Sequence, residues 1–175
     1  MNPLIIIGNG EVEKDYSCFV DKADYVIRFN WLLNYNKNTG TKTNALVLAS
    51  AKNHIYEYIN PSLEAHKDRY QLLESTLNQV ETLMFPIPDG NRGCTNRLSR
   101  IVSLVEHYSL QQKKVKIYFC EDRYLKMLEK HEWHKQCIAP SSGYTVIMNI
   151  LDDSDFNDYD IYLLGFSWEG WQGHP

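Results

Sequence analysis

The apolar positions of the chain fall into two alternating kinds of segment. Short runs with almost no polar interruption come at Leu4-Ile5-Ile6-Ile7, Tyr25-Val26-Ile27 and Ala45-Leu46-Val47-Leu48-Ala49. The theme returns at Thr82-Leu83-Met84-Phe85, Val115-Lys116-Ile117-Tyr118-Phe119 and Ile161-Tyr162-Leu163-Leu164. A strand that is apolar at consecutive positions has both faces covered, as in a buried parallel sheet. Longer stretches with helical spacing separate these runs. Ser62 to about Val80 opens after Asn60-Pro61 and places Leu72, Leu73, Leu77 and Val80 on one stripe. Thr95 to Leu110 does the same with Leu98, Ile101, Val102 and Val105; Asp122 to Lys130 turns Leu125 and Leu128 inward; Ser142 to Leu151 is the last helix. Strands interleaved with helices in this way predict an α/β fold: a single doubly wound, mostly parallel sheet with helices on both faces, Rossmann-like, with right-handed crossovers.

Composition narrows this picture. At 175 residues the chain suits one domain spanning 1–175. Its 18 Lys+Arg against 22 Asp+Glu leave a net charge of -4, which argues against a phosphate-tracking nucleic-acid groove. No apolar run approaches the roughly 20 residues that span a bilayer. Met1-Asn2-Pro3 carries no basic flank and Leu4 to Ile7 is too short for a signal peptide, so a soluble, cytoplasmic protein is expected. Cys18, Cys94, Cys120 and Cys137 are widely spaced, which predicts reduced thiols and no zinc ribbon. His131 and His134 form an H-x-x-H pair with no third ligand nearby, and read as an exposed helix end.

In a doubly wound sheet, ligands sit at the carboxyl ends of the strands. Gly8-Asn9-Gly10 follows the first strand and opens like a dinucleotide fingerprint, but Glu13 stands where the third glycine belongs, which disfavours an NAD-dependent oxidoreductase. The second strand ends Ile27-Arg28-Phe29-Asn30, with Arg28 and Asn30 on one side by the two-residue period. A buried Arg28 is either paired within the chain or bound to an anion. Pro140-Ser141-Ser142-Gly143 precedes an apolar helix; Ser141 or Ser142 caps it, and the free N–H groups of its first turn suit a phosphate or carboxylate. Asp153-Ser154-Asp155 spells a D-x-D of the kind that chelates a metal between nucleotide phosphates, yet it precedes the last strand, on the edge opposite the expected ligand face. Trp168, Glu169, Trp171 and Gln172 follow that strand, where tryptophans serve either sugar stacking or core closure. The Pro86 to Gly93 stretch is long enough to be a binding loop.

Taken in order, these segments resemble the eukaryotic-type sialyltransferase family. Ile5-Ile6-Ile7-Gly8-Asn9-Gly10 with Asp24-Tyr25-Val26-Ile27-Arg28-Phe29-Asn30 is similar to the large sialyl motif, and Gly40-Thr41-Lys42-Thr43 to the segment after it. Pro140-Ser141-Ser142-Gly143 with Asp160-Ile161-Tyr162-Leu163-Leu164-Gly165-Phe166 resembles the small sialyl motif; Ala51 to Gln136 resembles nothing specific. The resemblance implies a glycosyltransferase that moves sialic acid or a related sugar from a CMP-activated donor to a glycan or glycolipid hydroxyl. Transfer would be inverting and need no metal or other cofactor. Carried over by position, Gly8, Asn9, Gly10, Arg28, Asn30, Ser141, Ser142 and Gly143 form the donor site, with Asn9 and Asn30 on the CMP and Ser142 and Gly143 on nucleotide or phosphate groups. The family's catalytic histidine is followed by a glutamate, which has no counterpart before Pro175. His174 is accordingly the catalytic base, a phosphate contact or a frayed end. The alternative from another class is a cytidine-nucleotide-binding module that has lost its base.

Overall fold

The computed structural model describes residues 2–50, 52–60, 67–86, 96–130 and 140–166. Six strands form one sheet: β1 (Pro3–Ile7), β2 (Tyr25–Phe29), β3 (Ala45–Val47), β4 (Thr82–Phe85), β5 (Lys116–Phe119) and β6 (Asp160–Leu164). Their order is β5-β4-β3-β2-β1-β6 and every pairing is parallel. The chain steps outward from β1 to β5 and then returns to lay β6 on the free side of β1. Right-handed crossovers must therefore put the outward and the returning helices on opposite faces.

The buried residues follow that rule. Helices α1 (Ser17–Lys22), α2 (Lys52–Ile59), α3 (Lys67–Leu77) and α4 (Arg97–His107) occupy one face. Ile5, Ile7 and Val26 meet Val20 there, while Leu46, Leu83 and Phe85 meet Ile55, Leu73, Leu77, Ile101 and Leu104. The alternate residues Leu4, Ile6, Ile27, Phe29, Val47 and Met84 meet Val146 and Ile150 of α6 (Ser142–Asp152) on the other face, and α5 (Glu121–Lys130) packs beside α6. β1 loses nearly all contact with water on both sides, with Leu4, Ile5 and Ile6 at 0% exposure. Burial of such side chains is worth about 2 kcal/mol each, so this strand fixes the register of the rest.

Several sequence expectations need correction. Two helices, α1 and α2, have no counterpart in the predicted pattern: α1 has six residues and buries only Val20, too short for a periodic stripe. In α4 the inward face is Arg97, Ile101 and Leu104, whereas Leu98 and Val102 are exposed. In α5, Tyr124 and Met127 are buried and Leu125 is exposed. Both stripes are rotated because the neighbouring elements, not apolar content alone, decide which side of a helix is covered. Among the described residues no helix is long and apolar enough to cross a membrane.

Candidate functional site

The carboxyl edge brings together the turns after β1, β2 and β6 and the first turn of α6. The turn after β1 is stitched to the end of β6: the Gly8 N–H donates to Leu164 O at 2.8 Å and the Gly10 N–H to Gly165 O at 2.8 Å. The two backbones approach so closely that a Cβ on Gly8 would lie 2.4 Å from Gly165 O, which is why the turn needs glycine. Asn34 closes the same turn from the other side, its Nδ2 donating to Gly8 O at 2.7 Å and to Gly10 O at 2.6 Å. The backbone groups of Gly8 and Gly10 are thus engaged within the chain. What the turn presents outward is Asn9, which is exposed. No helix starts directly after the turn, because Glu11 to Tyr16 are non-helical before α1 begins at Ser17. The dipole end that a dinucleotide fingerprint aims at its pyrophosphate is missing there.

Arg28 takes the structural side of its two expected roles. It is 2% exposed, and its Nε donates to Lys42 O at 3.0 Å, Nη1 to Thr39 Oγ1 at 3.0 Å, and Nη2 to Thr39 O and Gly40 O at 2.6 and 3.0 Å. Its guanidinium also lies 5.4 Å from the centre of the Tyr35 ring. Burial lowers its pKa to about 10, leaving it protonated at neutral pH. These partners all lie within the chain, the first of the two alternatives for a buried Arg28. Its β2 position points it into the α1 face, where it pins the loop between β2 and β3. Thr39 passes the restraint on by donating to Asn34 O, and Asn34 holds the Gly8–Gly10 turn.

Asn30 follows β2 with a positive φ of 47°, a conformation asparagine tolerates better than most residues. Its Oδ1 accepts from the Ala49 N–H at 2.9 Å and from the Tyr58 hydroxyl at 3.0 Å. Burial raises the Tyr58 pKa well above the ordinary phenol value, so that hydroxyl stays a proton donor. The Nδ2 of Asn30 has no hydrogen-bond partner among the described residues.

Ser141 is the N-cap of α6. Its Oγ accepts from the Tyr144 N–H at 3.2 Å and its carbonyl from the Thr145 N–H at 3.0 Å. The N–H groups of Ser142 and Gly143 make no hydrogen bond among the described residues, so the positive end of α6 is open. The Phe166 ring joins these parts. It packs edge-on to Phe29 at 6.1 Å, and its edge would meet a Cβ on Gly143 at 2.9 Å and one on Gly8 at 3.2 Å. Phe29, the turn at Gly8 and the first turn of α6 are thereby gathered around one aromatic side chain.

Beside Asn9 lies an open cleft of about 460 Å³, lined also by Glu11, Asn34, Lys37, Asn38 and Arg69. Two cations against one carboxylate make it favourable for an anion. Asp153 and Asp155 sit at the opposite edge of the sheet. Asp153 accepts the Tyr118 hydroxyl and caps a short 3-10 turn, and Asp155 pairs with Lys116 at 3.6 Å, so the D-x-D letters serve local structure. Cys120, at the end of β5, is buried and its thiol is pushed up to about 12 by desolvation. His174, Trp168, Glu169, Trp171, Gln172, His131, His134 and most of the Pro86 to Gly93 loop lie outside the described residues. Sequence reasoning missed Asn34 and Tyr58. Asn34 lay in a polar stretch with no spacing signal, and Tyr58 lay in the segment that resembled nothing.

Polar groups of this doubly wound fold come together at the carboxyl edge of the sheet, where ligands sit in such folds. Residues 4–152 match glycosyltransferase family 29 (sialyltransferase), and the chain belongs to that family. The matched span includes Asn9, Asn30 and Ser141 to Gly143, and it ends before β6. The urease operon 23 kDa accessory protein of Rhizobium meliloti (strain 1021) is 26% identical over 197 aligned positions, covering 98% of this chain and 82% of that protein.

Proposed function

We propose that the protein transfers sialic acid, or a related sugar, from a CMP-activated donor to a glycan or glycolipid hydroxyl, with inversion and without a metal ion. The observation that carries this reading is a set of donors at the carboxyl ends of the strands, Asn30 Nδ2 and the Ser142 and Gly143 N–H groups, that have no hydrogen-bond partner among the described residues, together with the exposed Asn9 after β1. Donors of this kind stabilise the phosphate that departs as CMP when the anomeric C–O bond breaks, a task a divalent cation performs in other glycosyltransferases. The acceptor hydroxyl gives its proton to a base as its oxygen bonds to the anomeric carbon. His174 is the proposed base, since imidazole titrates near neutral pH. The cleft beside Asn9 would hold the carboxylate of the donor sugar against Lys37.

Calorimetric titration with CMP, using UMP, ADP and NAD as controls and no added metal, tests the donor site. Selective CMP binding that weakens in Asn9→Ala and Asn30→Ala is expected; equal affinity for all four ligands, or none, removes the proposal. Lys37→Ala should weaken CMP-sialic acid and leave CMP unchanged. His174→Ala should keep CMP binding and lose turnover. A second reading, a cytidine-nucleotide-binding module without catalysis, draws support from the relative whose name describes an accessory protein. It predicts CMP binding with no transfer to any acceptor offered.

A further inference from the structure

Asn30 is held from behind by a residue that never reaches the ligand face. Tyr58, on α2, is fully buried at 0% exposure, and its ring meets Trp31 edge-on at 5.0 Å. Its carbonyl accepts the Tyr108 hydroxyl, which ties α2 to the end of α4. With its ring and backbone both fixed, the Tyr58 hydroxyl donates to the Oδ1 of Asn30 at 3.0 Å. That oxygen already accepts from the Ala49 N–H at 2.9 Å. A carbonyl oxygen has two acceptor directions, and here both are filled by groups of the chain. Turning the amide over would set Nδ2 against the Ala49 N–H, donor against donor. Nδ2 is therefore the atom left without a partner among the described residues.

We propose that Tyr58 is a positioning residue for the donor site, fixing the Asn30 amide so that the site offers a donor there and selects an oxygen acceptor, the phosphate of a nucleoside monophosphate. The inference rests on the function proposed above and adds the support that orients one of its contacts. It also assigns a role to α2, a helix in the part of the chain that resembled no motif.

The test compares Tyr58→Phe with Tyr108→Phe. Each deletes one hydroxyl from the same packed pair, but only the first hydroxyl touches Asn30. Binding of CMP and of cytidine, which lacks the phosphate, is measured on the wild type and both variants. Tyr58→Phe should bind CMP about tenfold more weakly, the scale of one lost hydrogen bond, with cytidine affinity unchanged. Tyr108→Phe should lower the thermal midpoint while leaving CMP affinity intact. Unchanged CMP affinity in Tyr58→Phe overturns the proposal, as does an equal loss for cytidine or an equal loss in Tyr108→Phe. The side-chain amide NMR signal of Asn30, identified by its absence in Asn30→Ala, reads the same contact without ligand. It should shift and broaden in Tyr58→Phe and stay in place in Tyr108→Phe; an unmoved signal in Tyr58→Phe sinks the proposal. Should the wild type bind no CMP, the donor-site reading fails and the amide signal alone decides whether Tyr58 orients Asn30.

Discussion

Single side chains at the carboxyl edge divide into those that face outward and those that hold them there. Asn9 and Asn30 were legible because a Gly-x-Gly turn and a strand end announce themselves over a few residues. Arg28 was legible as buried but not as to its partners, since Thr39, Gly40 and Lys42 come to it only once the loop has folded back. Asn34 and Tyr58 gave no signal, because each acts across more than twenty positions, Asn34 on Gly8 and Tyr58 on Asn30. The supporting residues should show their role as stability. Arg28→Lys keeps the charge but replaces a planar fork by one ammonium that cannot serve four acceptors, and should cost about 3 kcal/mol in urea unfolding. A loss under half a kilocalorie would mean that the loop holds without it. Asn34→Asp sets a carboxylate against the carbonyls of Gly8 and Gly10; it should lower the thermal midpoint at pH 7 and recover part of the loss near pH 4, where the acid can donate.

At the scale of elements, the strands were readable and the helix faces only partly so. Consecutive apolar residues identify a strand covered on both sides wherever it lies. A helix stripe depends on which neighbour arrives, and α4 turned Leu104 inward where Leu98 and Val102 had been expected. The edge itself is a meeting of elements, and two glycine substitutions probe it in different ways. Gly8→Ala drives a Cβ to 2.4 Å from a backbone oxygen of the β6 turn. Neither strand can give way without breaking its pairing, so a loss of about 3 kcal/mol is expected together with loss of CMP binding. Gly143→Ala meets only the rim of the Phe166 ring at 2.9 Å, which a small ring movement relieves. Its stability should stay within about 1 kcal/mol of wild type, since alanine also favours the helix, while CMP binding weakens as the approach to the α6 amides narrows. A Gly8→Ala loss as small as that expected for Gly143→Ala would show that β1 and β6 are not locked together.

For the molecule as a whole, the doubly wound arrangement followed from the alternation of segments, and the return of β6 to the side of β1 did not, because sequence order carries no record of which strand becomes whose neighbour. Burial across the sheet has a consequence in alkali. Desolvation raises the thiol of Cys120 from 9.0 to about 12 and raises the hydroxyls of Tyr25 and Tyr58 as well. The folded protein keeps protons that the unfolded chain releases, so the associated stability is complete below pH 9 and is lost as the pH climbs toward 12. Urea midpoints should fall steadily between pH 9 and 11, and a flat profile would contradict the burial of these groups. The pairing of Pro3 with Asp160 bears on how the protein is made. β1 is made well before β6 and waits for nearly all of the described chain before its second neighbour exists. Until then Gly8 and Gly10 lack the acceptors Leu164 O and Gly165 O, and no Phe166 ring seats the start of α6. The carboxyl edge is thus complete only once β6 has paired with β1. A nucleotide that occupies it would favour only the finished molecule, and its presence during synthesis would raise the yield of complete chains without hastening any earlier event.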